Sequence, residues 1–416
     1  MPSDIFIARQ PILDVDGQTF GYELLFRDGR NDSVRIIDPN LATQTVIERA
    51  YLDWGMNRLI GEGFGMINAD ATLIKRGLHV VLPPEGVILE LREDIPYDDE
   101  TITSLELAHQ RHGYHYALDN VSSLQQILAS RVLPLCSMVK IDFQRTDARE
   151  IPAIIQHARK SCATVLIVGD KLETGDDLAR ANAFGCDLVQ GYYIARPSVL
   201  SRQARPVNRS AVRMILDITN QEVVDTARLL RTVATDLTVA YRVLTAVNSS
   251  SFGLDRQVGS LSDAVSMVGS GHLRHVATLV APTATTDVDE NLMLSAVRRA
   301  KLLSVLVSNA DKAGEAYVVG LMSLADDVYG VSMPDLLAEL PLGPEATSAL
   351  LDRTGEYGAL LTLAEACERG DTELVRRLVV ETPDHVLGEY AAADRWARAR
   401  RAELTAESAN ETLSAV

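Results

Sequence analysis

The sequence predicts a TIM-like (β/α) barrel in the first half of the chain and an all-helical domain in the second. Short apolar runs alternate with segments of helical spacing, and each run ends on a side chain that can hold a metal ion or a phosphate. Functional groups of such barrels lie at the carboxyl ends of the strands. The runs are FGYE to Glu23, FGMIN to Asn68, GVILE to Glu90, YALD to Asp119, SMVK to Lys140, VLIVGD to Asp170 and LVQ to Gln190.

Between these runs, apolar residues recur at the spacing of one helix face, which predicts a crossover helix after several of the strands. Alternating strands and helices of this kind form a parallel sheet, which closes into a barrel. A single strand that ends on a polar residue would carry little weight, but seven with compatible ligand types indicate one functional rim. The predicted helices cover residues 41–59, 102–109, 151–158 and 178–183.

The second half begins where the alternation stops, in the stretch RPSVLSRQARPVNRS at residues 196–210. Beyond it almost every segment has helical spacing. We predict a barrel domain at residues 1–202, a helical domain at 203–405 and a frayed tail at 406–416. The predicted helices are 211–218, 223–233, 238–247, 261–267, 292–309, 318–327, 359–369 and 373–380.

Composition limits the classes of function. The 416 residues carry a net charge of −17, which disfavours binding to nucleic acid and to anionic membranes. Cys136, Cys162, Cys186 and Cys367 lack the spacing of a zinc site or a disulfide framework, so we expect reduced thiols. With no basic, apolar leader and no run of about 20 apolar residues, we expect a cytoplasmic protein.

The first 200 residues resemble the EAL family, barrel phosphodiesterases that linearise cyclic di-GMP with two divalent metal ions. The matching motifs occur in the family's order, and the VKID and GCD-x-x-QGY-x-x-x-RP patterns are the most specific. They are QPI at 10–12, GYELLFR at 21–27, MINAD with Asn68, LELRED with Glu90 and Glu93, ALDN with Asp119, VKID with Lys140, GDKLET with Asp170 and Glu173, and GCDLVQGYYIARP with Gln190.

The resemblance implies a site for Mg²⁺ or Mn²⁺, with Asp119 bridging to a second ion. The alternative is that these strand-end side chains only cap helices or meet water. Oxygen ligands of this kind suit hard cations. The implied ligands are Glu23, Asn68, Glu90 and Asp119.

The resemblance also implies residues that bind and cleave the nucleotide. Arg27 would clamp a phosphate, with a salt bridge to Glu23 or Asp119 as the alternative. Lys140 would orient water or stabilise charge, unless it only pairs with Asp119 or Asp170. Asp170 takes the place of the general base, and Gln10 belongs to the ligand-binding entry motif. Gln190 would contact the guanine edge of the nucleotide, unless it is an ordinary capping residue.

Three departures from the family pattern bear on catalysis. The family has two adjacent aspartates where this chain has Asp119 and Asn120, so one anionic ligand of the second metal is lost. The glycine-rich loop that follows them is missing, and Glu93, which anchors it in relatives, has nothing evident to hold. The general base is a glutamate in the family, whereas Asp170 is one methylene shorter; misplacement by about 1 Å can cost about 100-fold in rate.

The second half resembles the HDOD domain, a helical relative of HD phosphohydrolases that lacks their His-Asp metal doublet. The stretch LTVAYRVLTAVNSSSFG ends its helix at Asn248 and Ser249, and Ser262, Ala264, Val268, Gly269 and Leu273 follow in the family's order. None of the eight histidines is followed by Asp. We therefore expect no HD hydrolase chemistry, and instead a surface for a protein partner or a second copy of the chain.

We interpret the sequence as a bacterial EAL–HDOD signalling protein. Its phosphodiesterase chemistry is expected to be lost or severely weakened, and it would act through protein interaction with or without cyclic di-GMP binding. Two alternatives stay open: an active metal-dependent phosphodiesterase that makes linear pGpG, and a scaffold that binds no nucleotide.

Overall fold

The fold is described from a computed structural model. It covers residues 4–27, 47, 59–61, 63–92, 97–203, 205–248, 257–281, 284, 288–379 and 383–414. The chain divides into two compact units, Met1–Ala204 and Arg205–Val416. The predicted helix at 41–59 lies outside the described residues except at positions 47 and 59, and so does the loop anchor Glu93.

The first unit is a closed eight-stranded barrel, which confirms the predicted fold class. Strands β2 to β8 are parallel neighbours in chain order, and β1 closes the ring between β8 and β2. The strands are β1 (Asp4–Asp14), β2 (Thr19–Arg27), β3 (Phe64–Ala69), β4 (Val87–Arg92), β5 (His115–Val121), β6 (Cys136–Asp142), β7 (Leu166–Asp170) and β8 (Leu188–Val189), with β9 (Ser198–Gln203) alongside β1.

Strand β1 departs from an all-parallel barrel, because it runs antiparallel to both of its ring neighbours. The connection from β1 to β2 spans only residues 15–18, with Gly17 at φ 79°. A parallel pair needs a crossover of a dozen or more residues, whereas an antiparallel pair can be joined by a short turn. The chain therefore enters the barrel through a hairpin.

Helices lie between most of the later strands of the barrel. Several predicted helices are present with longer bounds. Two of them begin three residues earlier than predicted at a side-chain cap; Asp98, for example, accepts a hydrogen bond from the backbone N–H of Thr101. The helices are α1 (Ala71–Lys75), α2 (Asp99–His112), α3 (Leu124–Ala129), α4 (Ile151–Ser161) and α5 (Gly175–Phe184).

The barrel interior is built in layers, and this places the polar side chains. One apolar layer takes a residue from every strand of the ring of eight except β2: Ile12, Met66, Ile88, Ala117, Met138, Val168 and Leu188. Residues two positions apart on a strand point to the same face. Two positions further along β3 to β8 come Asn68, Glu90, Asp119, Lys140, Asp170 and Gln190, and two positions earlier on the reversed β1 comes Gln10. A polar layer thus covers the apolar one at one end of the barrel.

The second unit is helical throughout its described residues. The predicted segment 318–327 is divided between two helices, and two short helices after it have no counterpart among the predictions. Residues 406–414, predicted to fray, continue the last helix. The helices are α6 (Arg209–Thr219), α7 (Thr226–Ala234), α8 (Leu237–Val247), α9 (Leu261–Val280), α10 (Glu290–Leu306), α11 (Ala313–Met322), α12 (Ala325–Tyr329), α13 (Met333–Glu339), α14 (Pro344–Asp352), α15 (Gly355–Arg369), α16 (Thr372–Leu378) and α17 (Pro383–Ser414).

Helix α9 is broken by Gly269, whose φ of 76° and ψ of 160° lie in a region that only glycine populates readily. We expect Gly269→Ala to lower the free energy of unfolding by about 1–3 kcal/mol through backbone strain. Urea unfolding followed by circular dichroism measures this. Gly271→Ala is the matched control, because that position has no positive φ and open space around it; it should be neutral or stabilising by up to about 1 kcal/mol. Equal losses in both variants would contradict the strain argument.

In the part of the chain described above, no helix is long and apolar enough to cross a membrane. None of the four cysteines is paired with another; Cys136, Cys186 and Cys367 are buried, and Cys162 is half-buried.

Candidate functional site

The polar layer opens into a pocket of about 410 Å³ at the carboxyl ends of the parallel strands. Most of the sequence-predicted residues line it, and Glu90 lies fully buried among them. Arg27 is the last residue of β2, and its side chain lies outside the described part of the protein. The pocket is lined by Gln10, Glu23, Asn68, Arg92, Asp119, Asn120, Lys140, Asp170, Lys171, Glu173, Gln190, Gly191 and Tyr192.

Lys140 lies at the centre of the carboxylates. Its Nζ is 2.6 Å from Oε1 of Glu90, 3.0 Å from Oε2 of Glu23 and 3.6 Å from Oδ1 of Asp119. The lysine side chain is 1% exposed and that of Glu90 is 0% exposed. The sequence left open whether this lysine pairs with Asp119 or Asp170. The structure shows the pairing with Asp119, at the longest of the three distances.

These contacts shift the pKa values of the cluster in different directions. Burial lowers the pKa of Lys140, but Glu23, Glu90 and Asp119 outweigh it and raise the pKa well above its ordinary value. Burial, Glu23 and Asp119 together raise the pKa of Glu90 well above its ordinary value. Burial also raises the pKa of Glu23, yet Lys140 and hydrogen bonds from Gln190 and Asn68 bring it below normal. The ammonium and Glu23 thus form the charged pair of the cluster.

A row of amides connects Glu23 to the pocket wall. Nε2 of Gln190 donates to Oε2 of Glu23 at 2.6 Å and makes a longer contact with Oε1 of Gln10 at 3.4 Å. Nε2 of Gln10 in turn donates to the carbonyl oxygen of Ala195 at 3.1 Å. The Gln190 amide N–H groups are therefore engaged within the protein, while its buried Oε1 has no hydrogen-bond partner among the described residues.

The mouth of the pocket is arranged around Asn120. Its Nδ2 donates to Oδ2 of Asp119 at 2.8 Å, and its Oδ1 accepts from Nζ of Lys171 at 2.8 Å. The same Nζ donates to Oδ2 of Asp142 at 2.7 Å. Sequence reasoning did not single out Lys171 and Asp142 as site residues, although both belong to motifs quoted above, GDKLET and VKID, at the ends of β7 and β6.

Asp170 lines the pocket beside Gln190, because β7 and β8 are neighbouring strands. Burial raises its pKa to about 6, against a lowering influence of Lys140. Its side chain is placed by β7, two residues beyond Val168 of the apolar layer. A carboxyl group with this pKa changes its charge close to neutral pH, which is the property of a general base.

The donor set fits a hard divalent cation. Glu23, Asn68, Glu90 and Asp119 offer carboxylate and amide oxygens, the ligands that Mg²⁺ and Mn²⁺ prefer. The buried Oε2 of Glu90 has no hydrogen-bond partner in the described structure. In the conformation described, however, no group of three or more His, Cys, Asp or Glu side chains forms a metal-ion site within the described ranges. The Lys140 ammonium stands among the carboxylates instead.

Comparison with known proteins agrees with this architecture. A model of the EAL domain matches residues 70–197, and a model of the HDOD domain matches residues 206–334. The EAL match begins after Gln10, Glu23 and Asn68, so the structure alone brings these residues to the pocket.

Two relatives match along nearly the whole chain. The cyclic di-GMP phosphodiesterase CdgJ of Vibrio cholerae is 28% identical over 402 residues, which is 94% of this chain and 92% of CdgJ. The uncharacterised protein YuxH of Bacillus subtilis is 24% identical over 384 residues, 90% of this chain and 93% of YuxH. Among solved structures, Bacillus subtilis YkuI, crystallised with cyclic di-GMP and calcium, matches 47% of this chain and 56% of its own at 20% identity and a TM-score of 0.39.

The family models thus find an EAL domain within the barrel unit and an HDOD domain within the helical unit, in the order that the sequence motifs predict.

Proposed function

We propose that this protein is a regulatory relative of the cyclic di-GMP phosphodiesterases, whose barrel binds cyclic di-GMP in the pocket and cleaves it slowly or not at all. The similarity to CdgJ over both domains supports the nucleotide. The HDOD domain then provides the output, through a protein partner or a second copy of the chain.

The arrangement at Asn120 is the observation that carries the proposal. Its amide group is held between Asp119 and Lys171. Oδ1 of Asn120 and Oδ2 of Asp119 therefore each already accept a hydrogen bond from a neighbouring side chain. An amide also lacks the negative charge that offsets a divalent ion, and phosphodiester cleavage by two metals needs both ions. The mouth of the pocket is thus built for binding more than for hydrolysis.

Charge balance in the pocket is compatible with an anionic ligand. Lys140, Lys171 and Arg92 bring positive charge to the carboxylates of the pocket, so a ligand with two phosphates need not face uncompensated acids. When bound, Mg²⁺ or Mn²⁺ would be held by Glu23, Asn68, Glu90 and Asp119 and would supply a Lewis acid for one phosphate. Gln10 and Gln190 line the pocket wall, and Oε1 of Gln190, which has no hydrogen-bond partner in the described structure, is the amide group that a base edge would contact.

An active phosphodiesterase is the second candidate, and the raised pKa of Asp170 favours it. A carboxyl group with a pKa of about 6 is charged at pH 7 yet basic enough to accept a proton from an attacking water. Lys140 attracts the Asp170 carboxylate and would stabilise its negative charge before the proton is transferred. The two candidates differ only in turnover, so one experiment separates them.

The test is calorimetric titration of the full chain with cyclic di-GMP in Mg²⁺, then in Mn²⁺, followed by chromatography of the same mixtures for linear pGpG. We expect measurable binding and turnover at least about 100-fold below that of an intact EAL enzyme, the penalty typical of a misplaced catalytic group. Turnover within about tenfold, abolished by Glu23→Ala, would establish the active enzyme. Absence of binding with either metal would leave the scaffold alternative.

Reversion of one departure provides a sharper test. We expect Asn120→Asp alone to leave turnover low, because Lys171 would still pair with the new carboxylate and the missing loop would not return. The assay is the same chromatography under saturating nucleotide. Full activity from this single change would show that the loop and Lys171 have little influence.

A further inference from the structure

The mouth of the pocket contains two residues in the left-handed backbone region. Asn120, in β5, and Lys171, directly after β7, both have φ of 59°. Asparagine tolerates this conformation, whereas a lysine there is strained. Strain of this kind persists where the surroundings fix it, often in a binding site. Here the surroundings are the contacts of the Lys171 ammonium with Asn120 and Asp142.

The hydrogen-bonding capacity around Lys171 is largely satisfied. Oδ1 of Asp142 accepts from the backbone N–H groups of Gln144 and Arg145, and its Oδ2 accepts from Lys171. A divalent cation at this position would have to displace the ammonium. At the inner end the situation differs, since Oε2 of Glu90 is buried with no hydrogen-bond partner in the described structure. The pocket therefore presents a fixed ammonium at its mouth and an unpaired, buried carboxylate oxygen of Glu90 at its base.

We propose that Lys171 is the built-in cation of the outer pocket: its ammonium, held by Asp142 and Asn120, binds a phosphate oxygen of the nucleotide and excludes a divalent ion from this position. The identity of the ligand rests on the proposed function. An ammonium has three N–H donors, and the described structure uses two of them, on Asn120 and Asp142. The side chain lines the pocket and is 43% exposed, so a ligand can reach the third.

Metal counting tests the exclusion without nucleotide. Full-length protein is equilibrated with Mn²⁺ alone, and bound ions per chain are counted by electron paramagnetic resonance. We expect no more than one ion in the wild type and one additional ion in the double variant Lys171→Gly/Asn120→Asp. This variant removes the ammonium, restores a carboxylate and relieves the backbone strain, so it should fold. Two ions in the wild type, or no gain in the double variant, would overturn the exclusion.

Nucleotide affinity tests the phosphate contact. In calorimetry at low salt, we expect Lys171→Met to weaken cyclic di-GMP binding by roughly 10-fold, the size of one charge-assisted hydrogen bond. Lys171→Arg should stay within about threefold of the wild type, because the charge remains. Lys160→Met, which removes an exposed lysine of α4 outside the pocket, is the matched control and should not change affinity. Unchanged affinity in Lys171→Met would refute the contact.

The two measurements also separate this inference from the function on which it rests. If wild-type protein binds no cyclic di-GMP, the proposed function fails, while the Mn²⁺ count still decides whether Lys171 excludes a metal ion. If the wild type binds the nucleotide and Lys171→Met binds it equally well, the function stands and the role of Lys171 is refuted.

Discussion

Replacement of Lys140 by methionine is expected to lower the free energy of unfolding by about 3–5 kcal/mol, the cost of removing one partner from a buried ion pair. The ammonium is 1% exposed and lies within 3.0 Å of both Glu23 and Glu90. Methionine fills similar space but leaves the carboxylates with no central positive charge. Urea unfolding of the full chain at pH 7, followed by circular dichroism, measures the loss.

Two variants test the origin of this loss. Lys160→Met, on the exposed side of α4, should change stability by less than about 0.5 kcal/mol. Lys140→Met combined with Glu90→Gln should recover part of the loss, because the most deeply buried carboxyl group is then neutral. A loss below about 1 kcal/mol in Lys140→Met would show that the carboxylates do not depend on the ammonium.

Replacement of Asp170 by asparagine is expected to stabilise the protein at pH 7. The folded state keeps the Asp170 proton up to a pKa of about 6, whereas the ordinary value is 3.8. Between these values the folded state binds more protons than the unfolded state, so stability falls as pH rises. A difference of about 2 pKa units corresponds to about 3 kcal/mol. Asparagine does not titrate in this range, so the free energy of unfolding of the variant does not fall for this reason as pH rises.

The measurement compares urea unfolding of wild type and Asp170→Asn from pH 4 to pH 8. The difference between the two should be small near pH 4, grow up to pH 6 and level off above about pH 7. Other carboxyl groups titrate in both proteins and cancel in the difference. Parallel stability curves over the whole range would show that Asp170 has no raised pKa in the folded protein.

The sequence predicts the barrel and most of the polar layer because both depend on the two-residue periodicity of a strand. Met66 and Asn68, or Met138 and Lys140, occupy successive layers for that reason alone. The sequence pattern predicts Glu23 at the end of its strand, whereas β2 continues four residues further to Arg27. It still reaches the pocket because its strand partner is Gln10.

The contacts at the pocket mouth were not predictable in the same way. The pairing of Lys171 with Asn120 depends on two left-handed residues 51 positions apart, and sequence periodicity carries no information about such backbone angles. Likewise, the sequence left open whether Lys140 pairs with Asp119 or Asp170. The structure shows that Glu90 is its nearest carboxylate, because β4 and β6 place the two side chains at one level across the barrel interior.

The family boundaries are a poor guide for dividing this protein into fragments. The HDOD match begins at residue 206, yet Arg205 is buried in the helical unit. Its guanidinium is paired with Glu339 at 2.5 Å and lies over the rings of Tyr241 and Tyr329, at 5.2 Å and 5.5 Å. Truncation at the family boundary would remove an interior side chain, and ending at residue 334 would also remove Glu339. A fragment trimmed in this way lacks these interior contacts, so a failure to fold would say nothing about the role of the domain.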